Sequence, residues 1–401
     1  MFSDKIVISG TGCALADYLY TGIKFNSPEF LKYQSKEGGD GGLSPGKLVF
    51  TEELEKFSST PYPEIFSQLT GDKQADSINI GGPGLVSLIN TSQLLNPSEF
   101  QVSYYGGAGN DETADFIFNL LQKTPLDISN YKRIGAKFTP FTHVLSDPTY
   151  DNNHGERTFI NNIGAAWDYT PDLIHNDFFK SDLVCFGGTA LVPQIHDHLT
   201  GLLGKAKDNR CMTVVNTVFD FRNEKLNPGQ AWPLGNTSES LKLIDLLIMD
   251  CEESLRISGC HTIEEAADYF AGQNVASFII TNGIRNLFAF SNGKVFRKTG
   301  IIQFPVSTKV VETIKLFPDL KGDTTGCGDN FAGGAIASIA RQLKTSQKGD
   351  FDLEDTIAWA TASGGFACYC VGGTYVEAKS GEKLEKVSDL VKDYKSQISK
   401  L

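Results

Sequence analysis

The stretch Lys321-Gly-Asp-Thr-Thr-Gly-Cys-Gly-Asp-Asn-Phe-Ala-Gly-Gly334 holds the most chemical information in this chain of 401 residues. Gly326 and Gly328 flank Cys327, an acid follows at Asp329, and small residues then begin a helix. A helix that opens from a Gly-X-Gly turn presents unpaired backbone N–H groups and the positive end of its dipole, which suits an anion. An acid there would repel a bound phosphate, but it can accept a proton from a hydroxyl that attacks the phosphorus. A Gly-rich turn in which Asp329 only caps the helix explains the same residues equally well.

Buried strands and helices alternate along the chain around this stretch. Short apolar runs bounded by turn residues are typical of buried parallel strands. Such runs occupy 5–9, 101–105, 182–186, 211–216, 244–249 and 275–281. Helical stretches occupy 111–122, 262–272, 329–343, 354–370 and 383–399. This alternation predicts an α/β fold with a mostly parallel central sheet, and the runs 287–290 and 294–297 around Ser291-Asn-Gly293 predict a hairpin.

Two segments interrupt the alternation of strands and helices. Residues 18–77 are rich in Gly, Ser, Lys and Glu, and residues 138–165 place polar strands around the turn-rich stretch 147–155. Loops of this length in a compact domain usually have a function or lack a fixed structure. We therefore expect one domain over residues 1–401, from which these two segments extend as a small β lid over a site.

The composition excludes several classes of protein. Lys and Arg number 36 against 48 Asp and Glu, a net charge of −12, whereas a binder of duplex nucleic acid or of an anionic membrane needs a basic face. No stretch approaches the roughly 18 apolar residues of a membrane span, and residues 1–10 resemble a first strand rather than a signal peptide. Eight cysteines without a Cys-x-x-Cys pair are typical of reduced thiols, so we expect a cytoplasmic protein.

The carboxy-terminal stretch resembles the signature of the PfkB (ribokinase-like) carbohydrate kinases, Asp-Thr-x-Gly-x-Gly-Asp followed by a small-residue helix. The matching residues are Asp323, Thr324, Gly326, Gly328 and Asp329, with Cys327 where the family usually has Ala or Gly. The resemblance implies a ribokinase-like three-layer α/β/α sandwich. It also implies that Asp329 is the catalytic base and that the backbone amides of Gly326, Cys327 and Gly328 form an anion hole.

Six further landmarks of the family occur in the expected order along the chain. They are Asp17, Gly81-Gly-Pro-Gly84, Gly106-Gly-Ala-Gly-Asn-Asp111, Gly155-Glu-Arg-Thr-Phe159, Asp250-Cys-Glu-Glu253 and Thr281-Asn-Gly283. By resemblance, the residues that hold the acceptor substrate are Asp17, Gly81, Gly82, Gly84 and Arg157. Those near the nucleotide are Thr281, Gly283 and Thr324. Those that organise metals are Asp250 and Glu253 for Mg²⁺, through water, and Asp323 with the carbonyl of Thr325 for a monovalent cation such as K⁺, as in some members.

The chain departs from the family pattern at three positions. Leu15 stands where sugar-kinase members commonly have an Asn, and Val86 stands where an Asn usually touches the sugar. The loss of two amides would make this end of the pocket more apolar and would disfavour a ribose-like pattern of hydroxyls. Asp250 replaces an Asn, and the additional carboxylate near the expected Mg²⁺ would alter the affinity for the metal or the number of ions.

The residues and the resemblance together predict an ATP-dependent kinase that phosphorylates a primary hydroxyl of a sugar or sugar derivative, with homodimerisation through the lid left open. A nucleoside kinase of the adenosine or inosine type is the nearest alternative, since the long 18–77 segment and the 155–159 stretch suit that branch as well. A sensor that binds sugar or nucleotide without turnover is a second alternative, against which the intact Asp329 argues. Gly10-Thr-Gly12 resembles a dinucleotide fingerprint, but the last glycine is missing, which argues against a dehydrogenase.

Overall fold

Strands and helices occupy most of the described residues, which are 5–322 and 324–400 of this computed structural model. The strands are β1 (Ile6–Gly12), β2 (Leu15–Thr21), β3 (Leu48–Phe50), β4 (Ser77–Gly81), β5 (Phe100–Ala108), β6 (Asp127–Arg133), β7 (Phe141–Asp147), β8 (Glu156–Asn162), β9 (Leu183–Gly187), β10 (Met212–Asn216), β11 (Leu246–Asp250), β12 (Ser277–Thr281), β13 (Leu287–Ser291) and β14 (Ile302–Phe304). The helices are α1 (Pro28–Lys32), α2 (Thr51–Ser58), α3 (Tyr62–Thr70), α4 (Pro83–Leu94), α5 (Glu112–Leu121), α6 (Tyr150–Asn153), α7 (Pro193–Asp197), α8 (Leu199–Asp208), α9 (Phe221–Leu226), α10 (Cys251–Ser258), α11 (Ile263–Gly272), α12 (Thr308–Leu316), α13 (Cys327–Thr345), α14 (Leu353–Ala367) and α15 (Glu382–Ile398).

Nine strands of the described ranges form a large sheet in the order β14-β13-β12-β11-β10-β9-β1-β5-β6. Neighbours from β12 to β6 run parallel, and β13 and β14 add an antiparallel edge. Side chains of β9 alternate between two cores, since Leu183 and Cys185 pack with α4, α13 and α14, while Val184 and Phe186 pack with α8 and α11 on the other face. This arrangement confirms the predicted three-layer α/β/α architecture with a mostly parallel sheet.

A smaller sheet has five strands in the part of the chain that the structure describes, in the order β3-β8-β7-β2-β4. The helices α1, α2 and α3 cover one of its faces, where Tyr20, Tyr62, Leu145 and Ile160 belong to an aromatic-rich core. Alternate side chains of a strand point to opposite faces, so Asp17 and its cross-strand partners lie on the face away from this core. The 18–77 segment is therefore folded onto the small sheet.

Local sequence signals determine where several helices begin. Thr262 accepts a hydrogen bond from Glu265 N, and the Glu265 carboxylate accepts one from Thr262 N, which forms the predicted capping box of α11.

No helix within the described ranges is both long and apolar enough to cross a membrane.

The predicted hairpin around 291–293 is wrong. The strand β13 pairs with β12 on one side and with β14 on the other, and neither partner is the 294–297 run. Phe296 of that run instead forms an isolated bridge with Phe351, ahead of α14. The Ser-Asn-Gly turn leads the chain away from the sheet because burial of two phenylalanines competes with local pairing.

Candidate active site

The Gly-X-Gly turn lies at the start of α13, as the sequence predicts. Gly326 has φ +73°, and a side chain there would also meet Gly373 Cα at 2.5 Å, so only glycine fits. Cys327 is the first residue of the helix, and its backbone N–H donates to the Thr324 carbonyl at 3.3 Å. A bond of this length is weak, so this amide of the predicted anion hole is engaged only loosely within the protein.

A buried lysine that the sequence reasoning missed stabilises the turn through Asn330. Lys383 is 1% exposed, and its Nζ donates to Asn330 Oδ1 at 2.9 Å and to Gln93 Oε1 at 3.0 Å. Asn330 Nδ2 in turn donates to the carbonyls of Gly326 at 2.8 Å and of Gly373 at 2.9 Å. Burial lowers the pKa of Lys383 to about 7. The lysine and the asparagine together fix the backbone that precedes Asp329.

Asp329 lies in the first turn of α13. The residue is partly exposed, but burial of its carboxyl raises the pKa of that group to about 7. The buried Cys13 thiol has its pKa raised by burial first, then by the charge of Asp329 and then by that of Asp17. The two carboxylates therefore lie within electrostatic reach of the same thiol, although they are far apart in the sequence.

The predicted acceptor-side turn lies beside Asp17. A Cβ at Gly81, the last residue of β4, would overlap with Asp17 Oδ2. Gly82 precedes α4 with φ +95°, and Gly84 packs on the backbone of residues 12–13. The structure thus brings Asp17, Gly81, Gly82 and Gly84 together at one end of the small sheet.

A row of polar side chains crosses the small sheet at Asp17. The strand register pairs Asp17 with Asn79 on one side and with Thr142 on the other, and pairs Thr142 with Asn161. Directly opposed residues share a face of the sheet. Asn161 is 2% exposed, and its Nδ2 donates to Thr142 Oγ1 at 3.0 Å, while its Oδ1 has no hydrogen-bond partner among the described residues. The sequence reasoning missed Asn79, Thr142 and Asn161, because only the register reveals them.

Arg157 does not join this row. It pairs with Ser146, which pairs with Thr21, and this row lies four residues further along the strands than the row of Asp17. Four residues correspond to roughly 13 Å of strand. An apolar row of Leu19, Val144 and Phe159 separates the two. Arg157 therefore lies on the same face as Asp17 but at the other end of it.

A cavity of about 220 Å³ lies on the other side of the Gly-X-Gly turn. Thr281 and Gly283 line it together with Cys327 and Gly328, which agrees with the expectation that both segments lie near one ligand. Most of the remaining wall is apolar and consists of Leu287, Val306, Val310, Val311 and Phe331, with Ile284 at the rim. Thr324 lies outside the described lining, in the loop before the turn, with φ +62°.

A profile of the pfkB family of carbohydrate kinases matches residues 59–379 of this chain. The chain belongs to the pfkB carbohydrate kinase family. Membership identifies it as a phosphotransferase whose acceptor is an alcohol group. The matched range includes β4, β7 and β8 of the small sheet, the lining of the cavity and the turn before α13, whereas β2 and β3 precede it.

Solved structures of kinases share the fold of this pfkB protein over nearly their whole length. Adenosine kinase from Schistosoma mansoni in complex with 2-fluoroadenosine is 19% identical, with a TM-score of 0.68 over 92% of this chain and 97% of that chain. Ribokinase from Thermotoga maritima is 17% identical, with a TM-score of 0.59 over 96% and 99%. Ribokinase from Arabidopsis thaliana complexed with ribose and ATP is 15% identical, with a TM-score of 0.63 over 97% and 99%. At these identities the likeness shows the fold alone, and it confirms the ribokinase-like sandwich.

The predicted metal-organising carboxylates of this kinase begin α10. Asp250 Oδ1 accepts from Glu253 N at 2.8 Å, and Glu253 Oε2 accepts from Asp250 N at 2.9 Å and from Thr217 Oγ1 at 2.6 Å. Burial and then the charge of Asp250 raise the pKa of Glu253 to about 8, and burial raises the pKa of Asp250. Asp329 also contributes to the shift of Glu253, so this pair lies within electrostatic reach of the turn.

The predicted site for a monovalent cation cannot be assembled in full. Asp323 lies outside the described residues, and Thr325 lies in the loop before the turn.

The two departures at the acceptor end lie in apolar cores, since Leu15 is 6% exposed and Val86 is 1% exposed. Neither side chain can form a hydrogen bond, so the amides that the family has at these positions would have to come from elsewhere.

Proposed function

We propose that this pfkB kinase transfers the γ-phosphate of ATP to a primary hydroxyl of a sugar or sugar derivative. One observation carries the proposal. Asp329, at the N-terminus of α13, lies within electrostatic reach of the Cys13 thiol, as Asp17 does, and it adjoins the apolar cavity through Cys327 and Gly328. A base at this junction would lie between an acceptor bound near Asp17 and a phosphate donor bound in the cavity.

Asp329 accepts the proton of the acceptor hydroxyl as its oxygen approaches the γ-phosphorus. A pKa of about 7 suits a general base at neutral pH, since the base is partly ionised and still binds a proton firmly. The turn at 326–328 and the dipole of α13 stabilise the transferring oxygens. The Cys327 amide must give up its 3.3 Å bond to Thr324 to join them.

The apolar cavity fits the adenine of ATP, and the phosphate chain would extend from Thr281 and Gly283 toward Gly328. Asp250 and Glu253 fit a site that a cation completes, because both carboxyls have a raised pKa and a nearby cation favours their ionised forms. No group of three or more His, Cys, Asp or Glu in the described chain could hold a metal directly. Mg²⁺ held by phosphates and water would neutralise the charge of the β- and γ-phosphates. A K⁺ ion at Asp323 and Thr325 remains a further expectation.

The acceptor would lie on the polar row of the small sheet. Asp17, with Asn79, Thr142 and Asn161 beside it, offers carboxylate, amide and hydroxyl groups to the hydroxyls of a sugar. The two asparagines supply the amides that Leu15 and Val86 do not. Within a single domain over residues 1–401, the small sheet would act as a lid that excludes water from the transfer.

A nucleoside acceptor is the second candidate, and the apolar row of Leu19, Val144 and Phe159 favours it. This row adjoins the polar row, at a distance of two residues or roughly 7 Å along the strands. If the sugar hydroxyls of a nucleoside bind to the polar row, its nucleobase or another apolar substituent would lie on the next row. An adenosine kinase from Schistosoma mansoni that shares this fold has been solved in complex with 2-fluoroadenosine, which supports this candidate.

The experiment is release of ADP with Mg²⁺ and ATP across a panel of sugars, sugar acids, ketoses and nucleosides, for the wild type and Asp329→Asn. We expect one class of acceptor to support turnover and the variant to lose about 10²–10⁴-fold in kcat, the usual contribution of a general base. Asp389→Asn, an exposed change of the same kind in α15, should leave kcat unchanged. Near-normal turnover by Asp329→Asn would contradict the proposed mechanism. ATP binding without product from any acceptor would favour a sensor.

A further inference from the structure

Two thiols meet at the phosphate-binding turn. Cys327, the first residue of α13, and Cys368, the C-cap of α14, have Sγ atoms 3.4 Å apart. The sequence gives no hint of this pair, because 41 residues separate its members. Both thiols line the apolar cavity assigned to the nucleotide, so a small molecule in that cavity reaches them.

Cys368 also contacts the loop that leads into the turn. Its carbonyl accepts a hydrogen bond from Gly322 N at 2.8 Å. A hydrogen bond from the Cys327 thiol lowers the pKa of Cys368 to about 7, and the charge of Lys321 acts in the same direction. Since the thiolate is the reactive form of cysteine, Cys368 is the more nucleophilic partner at neutral pH.

We propose that Cys327 and Cys368 form a site of reversible thiol oxidation, at which hydrogen peroxide converts the two thiols into a disulfide that distorts the phosphate-binding turn. The formation of the disulfide is independent of the proposed function. Its effect on catalysis rests on that function, because it requires the 326–328 amides to hold the transferring phosphate.

The chemistry balances with the peroxide as the only oxidant. The Cys368 thiolate attacks one peroxide oxygen, the O–O bond breaks, and the leaving oxygen takes up a proton as water. The Cys327 sulfur then attacks the sulfenic acid at Cys368, the S–S bond forms, the S–O bond breaks, and the hydroxyl leaves with the thiol proton as a second water. Two thiols lose two electrons, and the peroxide gains them. A dithiol such as dithiothreitol reverses the reaction by exchange.

The bond would move the backbone at Cys327. A disulfide is about 2.05 Å long, so the two sulfur atoms must approach each other from the 3.4 Å of this structure. The start of α13 is packed closely on α14, since the Cys327 carbonyl lies so near Gly364 that a Cβ built there would be only 3.0 Å from this oxygen. The strain falls on the peptide groups of residues 326–328, whose positions the proposed transfer requires.

The test treats the full-length enzyme with hydrogen peroxide and follows the two thiols by mass spectrometry of non-reduced peptides. Kinase activity and binding of ATP are measured on the same samples, before and after dithiothreitol. The variants are Cys368→Ser, which removes one partner, and Cys370→Ser as the control, which removes a cysteine in the same chain turn whose Sγ instead lies 3.8 Å from the Phe366 carbonyl. Each variant is compared with its own reduced sample.

We expect a Cys327–Cys368 linked peptide in the wild type and in Cys370→Ser but not in Cys368→Ser. The linked samples should lose on the order of 10²-fold in kcat/KM, the effect of a misplacement of about 1 Å in an active site, and should recover with dithiothreitol. Saturating ATP should slow the formation of the link. The proposal is overturned if the two cysteines stay reduced while activity falls, or if the link forms without loss of activity in an active kinase. A linked peptide in an enzyme that phosphorylates no acceptor would uphold the oxidation site and reject the proposed function alone.

Discussion

Replacing Asp329 by Asn should stabilise the fold above neutral pH while it removes activity. The folded protein raises the pKa of this carboxyl from 3.8 to about 7, so folding favours the protonated form. The resulting stability is fully present below pH 3.8 and is lost as the pH rises through about 7. Asn resembles the protonated acid in shape and carries no charge at any pH, so the variant keeps the stability that the wild type loses.

The size of the gain follows from the shift of the pKa. A change from 3.8 to about 7 corresponds to about 4 kcal/mol at a pH above both values, since one pKa unit is about 1.36 kcal/mol. This is an upper bound, because Asp329 retains partial contact with water that stabilises its ionised form. After this correction we expect a gain of about 1–2 kcal/mol at pH 8 and a smaller gain at pH 5. Relief of the repulsion between Asp329 and Glu253 acts in the same direction.

The assay is urea unfolding of the ligand-free wild type and variant from pH 5 to pH 8.5. The midpoint of Asp329→Asn should exceed that of the wild type by an amount that grows with pH and levels off above pH 8. The exposed substitution Asp389→Asn should change the free energy of unfolding by no more than about 0.5 kcal/mol. A variant no more stable than the wild type at pH 8, or a gain that does not depend on pH, would refute the reasoning.

Two further predictions concern residues that the sequence did not reveal. Asn161→Ala should raise KM for the acceptor about tenfold, which corresponds to the loss of one hydrogen bond of about 1.4 kcal/mol, and should leave KM for ATP unchanged. Asn162→Ala is the control, since the side chain of Asn162 donates a hydrogen bond to Thr51 instead. Equal effects in both variants would contradict a role for Asn161. Lys383→Met should lower kcat and leave KM for the acceptor unchanged, because it leaves the Asn330 amide free to release the turn. The control Lys386→Met, on an exposed face of the same helix, should leave both kcat and KM unchanged.

The sequence predicts well those parts of the fold that neighbours in the chain determine. The glycines around Cys327 permit a turn with positive φ at Gly326, and the Thr262 capping box begins its helix where expected. The alternation of apolar runs predicts the parallel sheet, because buried strands and amphipathic helices have different periods. The prediction of a hairpin at 291–293 is wrong because a contact with a distant part of the chain determines the structure there. Its turn residues are correct, but a distant partner, Phe351, determines where the following chain goes.

The site is less predictable because its residues are brought together by the strand register of the small sheet and by contacts between helices that are distant in the sequence. Arg157 matches a family motif, yet the pairing of β7 with β8 places it roughly 13 Å along the strand from the row of Asp17. A shift of the pairing by a few residues would exchange Arg157 and Asn161, and no local pattern in β8 specifies which of them lies beside Asp17. Lys383 likewise resembles an ordinary surface lysine of an amphipathic helix until the packing of α15 buries it against Asn330. The motif therefore identifies the reaction. Under the proposed function, the register of the small sheet selects the acceptor, and substitutions on that sheet should change the acceptor before they change the chemistry.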